Sequence, residues 1–144
     1  GLMSAEAVVF FDPKHAWEFE LRRKRSGHLQ SKHRYLSAQI KGYLENDLWL
    51  DLARKANDHA TYLFDGLKQI EHCQFVYQPD GNMIFVKFPR GMHQIAIKAG
   101  AYYDLRGQDL ENGPKDELLT ARMVCDWSIG KDNIDQFLAI LKAA

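Results

Sequence analysis

In "CQFVYQPDGNMIFVKF", residues 73–88, two apolar runs with a two-residue period flank a turn. This period is typical of a β-strand that buries one face. Between the runs, "QPDGN" brings together Pro, Asp, Gly and Asn, the residues that β-turns favour. The stretch therefore predicts a β-hairpin and, with it, an antiparallel sheet.

The segments on either side of this hairpin predict helices and further strands. Apolar residues recur with helical spacing over 31–70, with a break at Asn46-Asp47. After the hairpin, "MHQIAIKAG" predicts a short helix that ends at a glycine, and "AYYDL" predicts a brief strand. A polar loop over 106–117, a strand in "LLTARMVCDW" and an amphipathic helix over 131–143 follow.

Strands joined by a hairpin and interspersed with helices predict an α+β fold. We expect a small, mostly antiparallel sheet of three or four strands. The helices at 48–70 and 131–143 are expected to cover one face of that sheet, since both present an apolar stripe.

The N-terminal stretch "AEAVVFFDP", residues 5–13, is typical of a strand buried on both faces in a parallel sheet. Pro13 is then expected to start a short helix. Since little of the chain precedes this strand, we expect it to belong to another domain and not to pair centrally in the small sheet. If its neighbours are missing, the exposed "VVFF" is expected to make the chain self-associate.

Positive charge is concentrated in "RRKRSGHLQSKHRY", residues 22–35, which holds six Lys or Arg and no acidic residue. The chain as a whole has a formal net charge of zero, so the remainder carries 13 basic against 19 acidic side chains. Proteins that coat nucleic acids usually spread excess positive charge over a broad face. One compact basic segment on an otherwise acidic chain favours a small anion as its ligand.

The remaining composition is ordinary for a globular protein, with 46% hydrophobic and 26% charged residues. No apolar run approaches the roughly 18 residues that a membrane span requires. Cys73 and Cys125 are the only cysteines, which predicts buried, reduced thiols in a cytoplasmic protein. The six histidines lack metal-ligand spacing, so no metal site is expected.

Four motifs, in their order and spacing, resemble the C-terminal part of threonine aldolases and related β-eliminating lyases. "AEAVVFFDP" resembles the strand that follows the cofactor lysine in that family, and "RRKRSGHLQSKHRYLSAQ" resembles a basic, Gly-containing segment. "GNMIFVKFP" is similar to the strand that opens the family's small domain. "ARMVCDWSIGKDNIDQFLAIL" is similar to its terminal strand and helix, so that the likeness spans nearly the whole chain.

The resemblance implies an aspartate-aminotransferase type of fold that uses pyridoxal 5'-phosphate. Residues 1–30 would then be the end of the large cofactor-binding domain, 31–72 the linking helices, and 73–144 the small C-terminal α+β domain. The implied reaction is cleavage of a β-hydroxy-α-amino acid such as threonine to glycine and an aldehyde, in a homo-oligomer. The family's cofactor-binding lysine precedes the first of these motifs, and here no lysine precedes Lys14, so we expect the chain alone to be inactive.

The resemblance also implies roles for single residues. Arg122 matches an arginine that binds the carboxylate of the amino-acid substrate, for which a planar guanidinium is suited. Lys32 lies nearest to a basic residue that contacts the cofactor phosphate in a neighbouring subunit, with Arg25, Ser31 and His28 close by. The ordinary alternatives are a solvent-facing arginine on a strand and solvated charges at a helix end.

Three other functions stay open on the residues alone. One is β-elimination from another amino acid within the same family. The second is a stand-alone nucleic-acid-binding module that uses the basic stretch at 22–35. The third is a structural subunit that complements a separately encoded large domain.

Overall fold

The computed structural model describes residues 2–144, which form two compact units, one ending at Trp49 and the other covering Leu50–Ala144. The helices are α1 (Lys14–Arg25), α2 (Arg34–Leu44), α3 (Leu48–Leu67), α4 (Arg90–Lys98) and α5 (Lys131–Ala143), with a 3-10 turn at Glu45–Asp47. The strands are β1 (Gln74–Phe75), β2 (Met83–Pro89) and β3 (Leu118–Val124).

The first unit is helical and has little core of its own. Neither α1 nor α2 buries any residue fully. The helix α1 begins directly after Pro13, as predicted, and the Asp12 carboxylate accepts a hydrogen bond from the Lys14 amide at 3.1 Å. The predicted break at Asn46-Asp47 is confirmed, because both residues have positive φ angles of 53° and 58°.

The prediction of a strand at 6–11 is wrong, because residues 6–11 form no strand in the structure. Phe11 is 99% exposed and Val9 is 75% exposed, while Phe10 packs on the ring of Phe19 at 5.1 Å between centroids. A strand requires a neighbour that pairs its amide and carbonyl groups, and none of the strands within residues 2–144 pairs with this stretch. As expected, it takes no part in the small sheet.

The second unit contains a three-stranded antiparallel sheet in the order β1-β2-β3. The predicted hairpin is confirmed, since Phe75 pairs with Val86 across the turn. The register of β2 and β3 places Val86 opposite Ala121 and Phe85 opposite Arg122. Side chains alternate between the faces, so Phe85 and Arg122 share the face that points away from Val86 and Ala121.

One face of this sheet forms the core together with the helices, which confirms the α+β layer. Ile84, Val86 and Phe88 are fully buried and pack with apolar residues of α3, α4 and α5. The contributing helix residues include Leu63, Phe64 and Leu67 of α3, Met92 and Ala96 of α4, and Ile134, Leu138 and Leu141 of α5. At roughly 25 cal/mol per Å² of apolar area, each large side chain buried here stabilises the fold by about 1.5–3 kcal/mol.

The segment between α4 and β3 is held by side chains instead of strand pairing. The predicted strand in "AYYDL" is reduced to a single bridge between Asp104 and Arg122. The loop that follows is fixed from α4, where the buried Arg90 guanidinium donates to the carbonyls of Pro114 and Asp109 and pairs with Glu117. This loop therefore has an ordered backbone, although it contains no regular element.

Within residues 2–144, none of the helices is both long and apolar enough to cross a bilayer.

Candidate functional site

Arg122 lies on the face of the sheet that the helices leave open. The alternation of β3 directs Ala121 and Met123 into the core and Arg122 to the other side. Its side chain is 39% exposed, and Phe85 is its partner on the neighbouring strand. An arginine placed here is accessible to a ligand but stands on a rigid element, which suits a residue that orients a small molecule.

Asp104 is the acidic partner of Arg122. The two backbones pair in both directions, with the Arg122 amide donating to the Asp104 carbonyl at 2.8 Å. The Asp104 carboxylate lies 3.4 Å from Nη2 of Arg122. Its second oxygen accepts a hydrogen bond from the Arg106 amide at 2.9 Å, which fixes the orientation of the carboxylate.

The guanidinium of Arg122 is only partly satisfied. Its Nε is buried and has no hydrogen-bond partner among the described residues. Around it, the Arg106 guanidinium lies 6.0 Å from the centre of the Phe85 ring, and Tyr77 packs on the same ring at 5.3 Å. This open face thus joins guanidinium groups with an aromatic platform, an arrangement that can bind a small carboxylate with an organic side chain.

The basic stretch at 22–35 is partly neutralised within the first unit. Arg22 and Arg25 both pair with Glu18, at 2.9 Å and 3.5 Å, and Arg23 pairs with Glu20 at 2.9 Å. The hydrogen bond and charge of Arg22 hold the pKa of the Glu18 carboxyl below its usual range. These pairs fit the simpler interpretation of charged residues at the end of a solvated helix, and they leave less free charge for a polyanion.

Lys32, Ser31 and His28 lie in the connection between α1 and α2, all three exposed. Lys32 has a positive φ of 62°, an uncommon conformation for a residue other than glycine. In the same stretch, Nε of Arg23 and Nε2 of His33 are buried and have no hydrogen-bond partner within residues 2–144. Since both nitrogens are buried, the exposed candidate residues of this connection are Lys32, Ser31 and His28.

The structure gives other polar residues of interest a local role. The side chain of Asn82 donates to the Cys125 carbonyl at 2.7 Å, which extends the pairing of β2 and β3. Burial raises the pKa of the Cys73 and Cys125 thiols to about 11, so both stay protonated and unreactive at neutral pH. Among the described residues, no group of His, Cys, Asp and Glu is arranged to hold a metal ion.

Two residues of the second unit were missed by sequence reasoning. Asp104 stands 18 positions before Arg122 in the chain, and only the return of the loop to the edge of β3 brings them together. His93 lies within α4 and is completely buried, between Phe88 and Tyr103. The helical spacing of "MHQIAIK" indicated a buried face, but nothing in it indicated the hydrogen-bond partners of His93.

The arrangement of these elements is similar to that in a solved threonine aldolase. A solved structure of Leishmania major threonine aldolase superposes with a TM-score of 0.71 and 19% sequence identity, over 84% of this chain and 33% of that one. At this identity the likeness establishes the fold alone.

The chain is also similar in sequence to two curated proteins. The chain is 28% identical over 144 residues to a low specificity L-threonine aldolase of a Pseudomonas species, covering 99% of this chain and 39% of the relative. It is also 28% identical to that of Pseudomonas aeruginosa, covering 88% of this chain and 34% of the relative. No protein-family model matches the chain. The resemblance to threonine aldolases is thereby confirmed, and the chain spans little more than a third of the length of these relatives.

Proposed function

We propose that this chain forms the C-terminal part of a pyridoxal-phosphate-dependent lyase that cleaves β-hydroxy-α-amino acids to glycine and an aldehyde. The observation that carries this proposal is the likeness to low specificity L-threonine aldolases over 99% of the chain. Arg122, accessible on the open face of the sheet, supports it with a side chain suited to an amino-acid carboxylate. The large domain, with the lysine that binds the cofactor, would be supplied by a further part of the protein.

In this proposal Arg122 holds and orients the substrate. Two parallel hydrogen bonds from a guanidinium fix the plane of a carboxylate, and with it the rotation about the adjoining Cα. The cofactor, when bound, would supply an electron sink for the charge that is left at Cα when the Cα–Cβ bond breaks. A base takes the proton of the β-hydroxyl, the aldehyde leaves, and Cα gains a proton to give glycine.

The connection between α1 and α2 would contact the cofactor phosphate from a neighbouring subunit. Lys32 and Ser31 are exposed there and His28 lies beside them, while Arg25 is shared with Glu18. A phosphate at this position would neutralise the free charge of the stretch at 22–35. The role requires a homo-oligomer, which is part of the proposal.

The ion pairs of α1 count against the nucleic-acid-binding alternative. Three of the arginines in the stretch are paired with Glu18 or Glu20, and the chain as a whole carries no net charge. A surface that binds nucleic acid by counterion release needs many unpaired cations.

A panel of substrates tests the proposal and separates it from β-elimination. The full-length protein, loaded with pyridoxal 5'-phosphate, is incubated with threonine, with its 3-phenyl analogue and with serine, cysteine and tryptophan. We expect glycine and the matching aldehyde from the two larger β-hydroxy substrates. Release of pyruvate or ammonia without glycine would show a β-eliminating lyase, and no reaction with any of them would refute the assignment as a lyase of this family.

A further inference from the structure

The ion pair between Asp104 and Arg122 has a consequence for ligand binding at the open face of the sheet. Both side chains are well exposed, at 42% and 39%, so the pair lies where a ligand can reach it. Asp104 is held beside Arg122, because one carboxylate oxygen accepts from the Arg106 amide and the two backbones are paired, while the other oxygen faces Nη2. A carboxylate of the chain itself thus already lies at Arg122.

The accessible end of the Arg122 guanidinium is the end that Asp104 contacts. The Nε of Arg122 is buried, whereas Nη2 lies 3.4 Å from Asp104. A carboxylate that binds with two parallel hydrogen bonds must therefore use Nη1 and Nη2. At Nη2 the bound carboxylate would lie close to the negatively charged Asp104, and two neighbouring carboxylates repel each other.

We propose that the Asp104 carboxylate competes for Nη2 of Arg122 and is displaced from this atom when the carboxylate of an amino acid binds. This inference rests on the proposed function of Arg122. Asp104 is then a specificity-determining residue that weakens the binding of every carboxylate and most strongly disfavours substrates with a second one. A surface ion pair is worth about 0.2–1 kcal/mol, so its removal strengthens carboxylate binding by up to about five-fold.

Replacing Asp104 with asparagine tests the displacement in the full-length protein. The change keeps the size and the oxygen that accepts from the Arg106 amide but removes the charge. We expect the KM for threonine to fall by about two- to five-fold with kcat unchanged. The KM for 3-hydroxyaspartate, which carries a second carboxylate, should fall further. Asp116→Asn, which removes the same charge from the exposed loop before β3, is the matched control and should change neither constant.

A chemical readout decides the question without relying on turnover. Phenylglyoxal reacts across the two terminal nitrogens of an arginine, and peptide mass spectrometry measures the rate at Arg122. Asp104→Asn should raise this rate several-fold, and glycine should slow it in wild type and variant, at a lower concentration in the variant. An unchanged rate, or a KM that rises, would overturn the role of Asp104. A third outcome separates the two proposals: Asp104→Asn raises the phenylglyoxal rate and glycine protects Arg122, but the protein cleaves no substrate. This outcome would refute the proposed lyase, whereas Asp104 would still compete with carboxylates for Arg122.

Discussion

At the scale of single residues, His93 shows how a buried imidazole can be part of a core. Its ring stacks on Phe88 with 3.6 Å between centroids, and the side chain is completely buried. Nε2 lies 3.1 Å from the Leu119 carbonyl, which can only accept, so this nitrogen carries the proton. Nδ1 then accepts from the Tyr103 hydroxyl at 3.0 Å. A neutral ring thus satisfies both partners.

Protonation of His93 is expected to destabilise the second unit. Burial lowers its pKa to about 4 from the usual 6.5, and the charge of Arg90 adds to the effect. Because the folded state has the lower pKa, the stability that the neutral ring contributes is complete above pH 6.5 and is lost as the pH falls towards 4. The shift corresponds to a loss of up to about 3 kcal/mol.

Urea unfolding at pH 7 and at pH 4.5, followed by circular dichroism, measures this dependence. His93→Gln is expected to be less stable at pH 7 but to lose less stability over this interval than the wild type does. His72→Gln, at an exposed histidine that follows α3, is the control and should keep the wild-type dependence. Equal losses in the wild type and in His93→Gln would contradict this account.

At the scale of elements, Gly66 determines how closely α3 and α5 approach. A Cβ added at Gly66 would collide with the side chain of Leu138, which is buried on α5. Near this contact, the Tyr62 hydroxyl donates to Asp135 at 2.8 Å, so the two helices are joined by packing and by a hydrogen bond. Where no such contact exists, a glycine in a helix interior lowers the stability by up to about 1 kcal/mol relative to alanine.

Gly66→Ala is therefore expected to destabilise the second unit by about 1–3 kcal/mol, because overpacking outweighs the gain in helix propensity. Gly42→Ala in α2 is the matched control, since no atom lies within 4 Å of its added Cβ. That variant should leave the unfolding of the second unit unchanged. Thermal and urea unfolding measure both. A Gly66→Ala protein as stable as the wild type would show that α3 and α5 can separate at no cost.

The elements themselves were largely predictable, because local patterns specify them. The hairpin follows from the period of "CQFVY" and "MIFVKF" around a turn, and α3 and α5 follow from their apolar stripes. Two strands were predicted in excess, at 6–11 and in "AYYDL", since a strand depends on a neighbour that its own residues do not specify. Arg122 could be identified from its sequence motif. Its partner Asp104 could not, because the two residues meet only when the loop returns to the edge of β3.

For the molecule as a whole, the similarity to a low specificity L-threonine aldolase extends over 99% of this chain. The same alignment covers only 39% of that relative. The residues proposed to bind substrate and phosphate lie in different compact units, Arg122 in the second and Lys32 in the first. Each is proposed to act together with a large domain that holds the cofactor. The division into residues 1–30, 31–72 and 73–144 stays a prediction.

The effect of Arg122→Lys on threonine cleavage by the full-length protein tests whether Arg122 binds the substrate carboxylate. Lysine keeps the charge but cannot form two parallel hydrogen bonds to a carboxylate. We predict that kcat/KM for glycine formation falls by about 10- to 100-fold, as expected for losing a charge-assisted hydrogen bond and the orientation that it gives. Arg54→Lys, at an exposed ion pair of α3, should retain the wild-type value. If kcat/KM of Arg122→Lys stays within about two-fold of the wild type, no substrate contact has been lost. That result would contradict the proposal that Arg122 binds the substrate carboxylate.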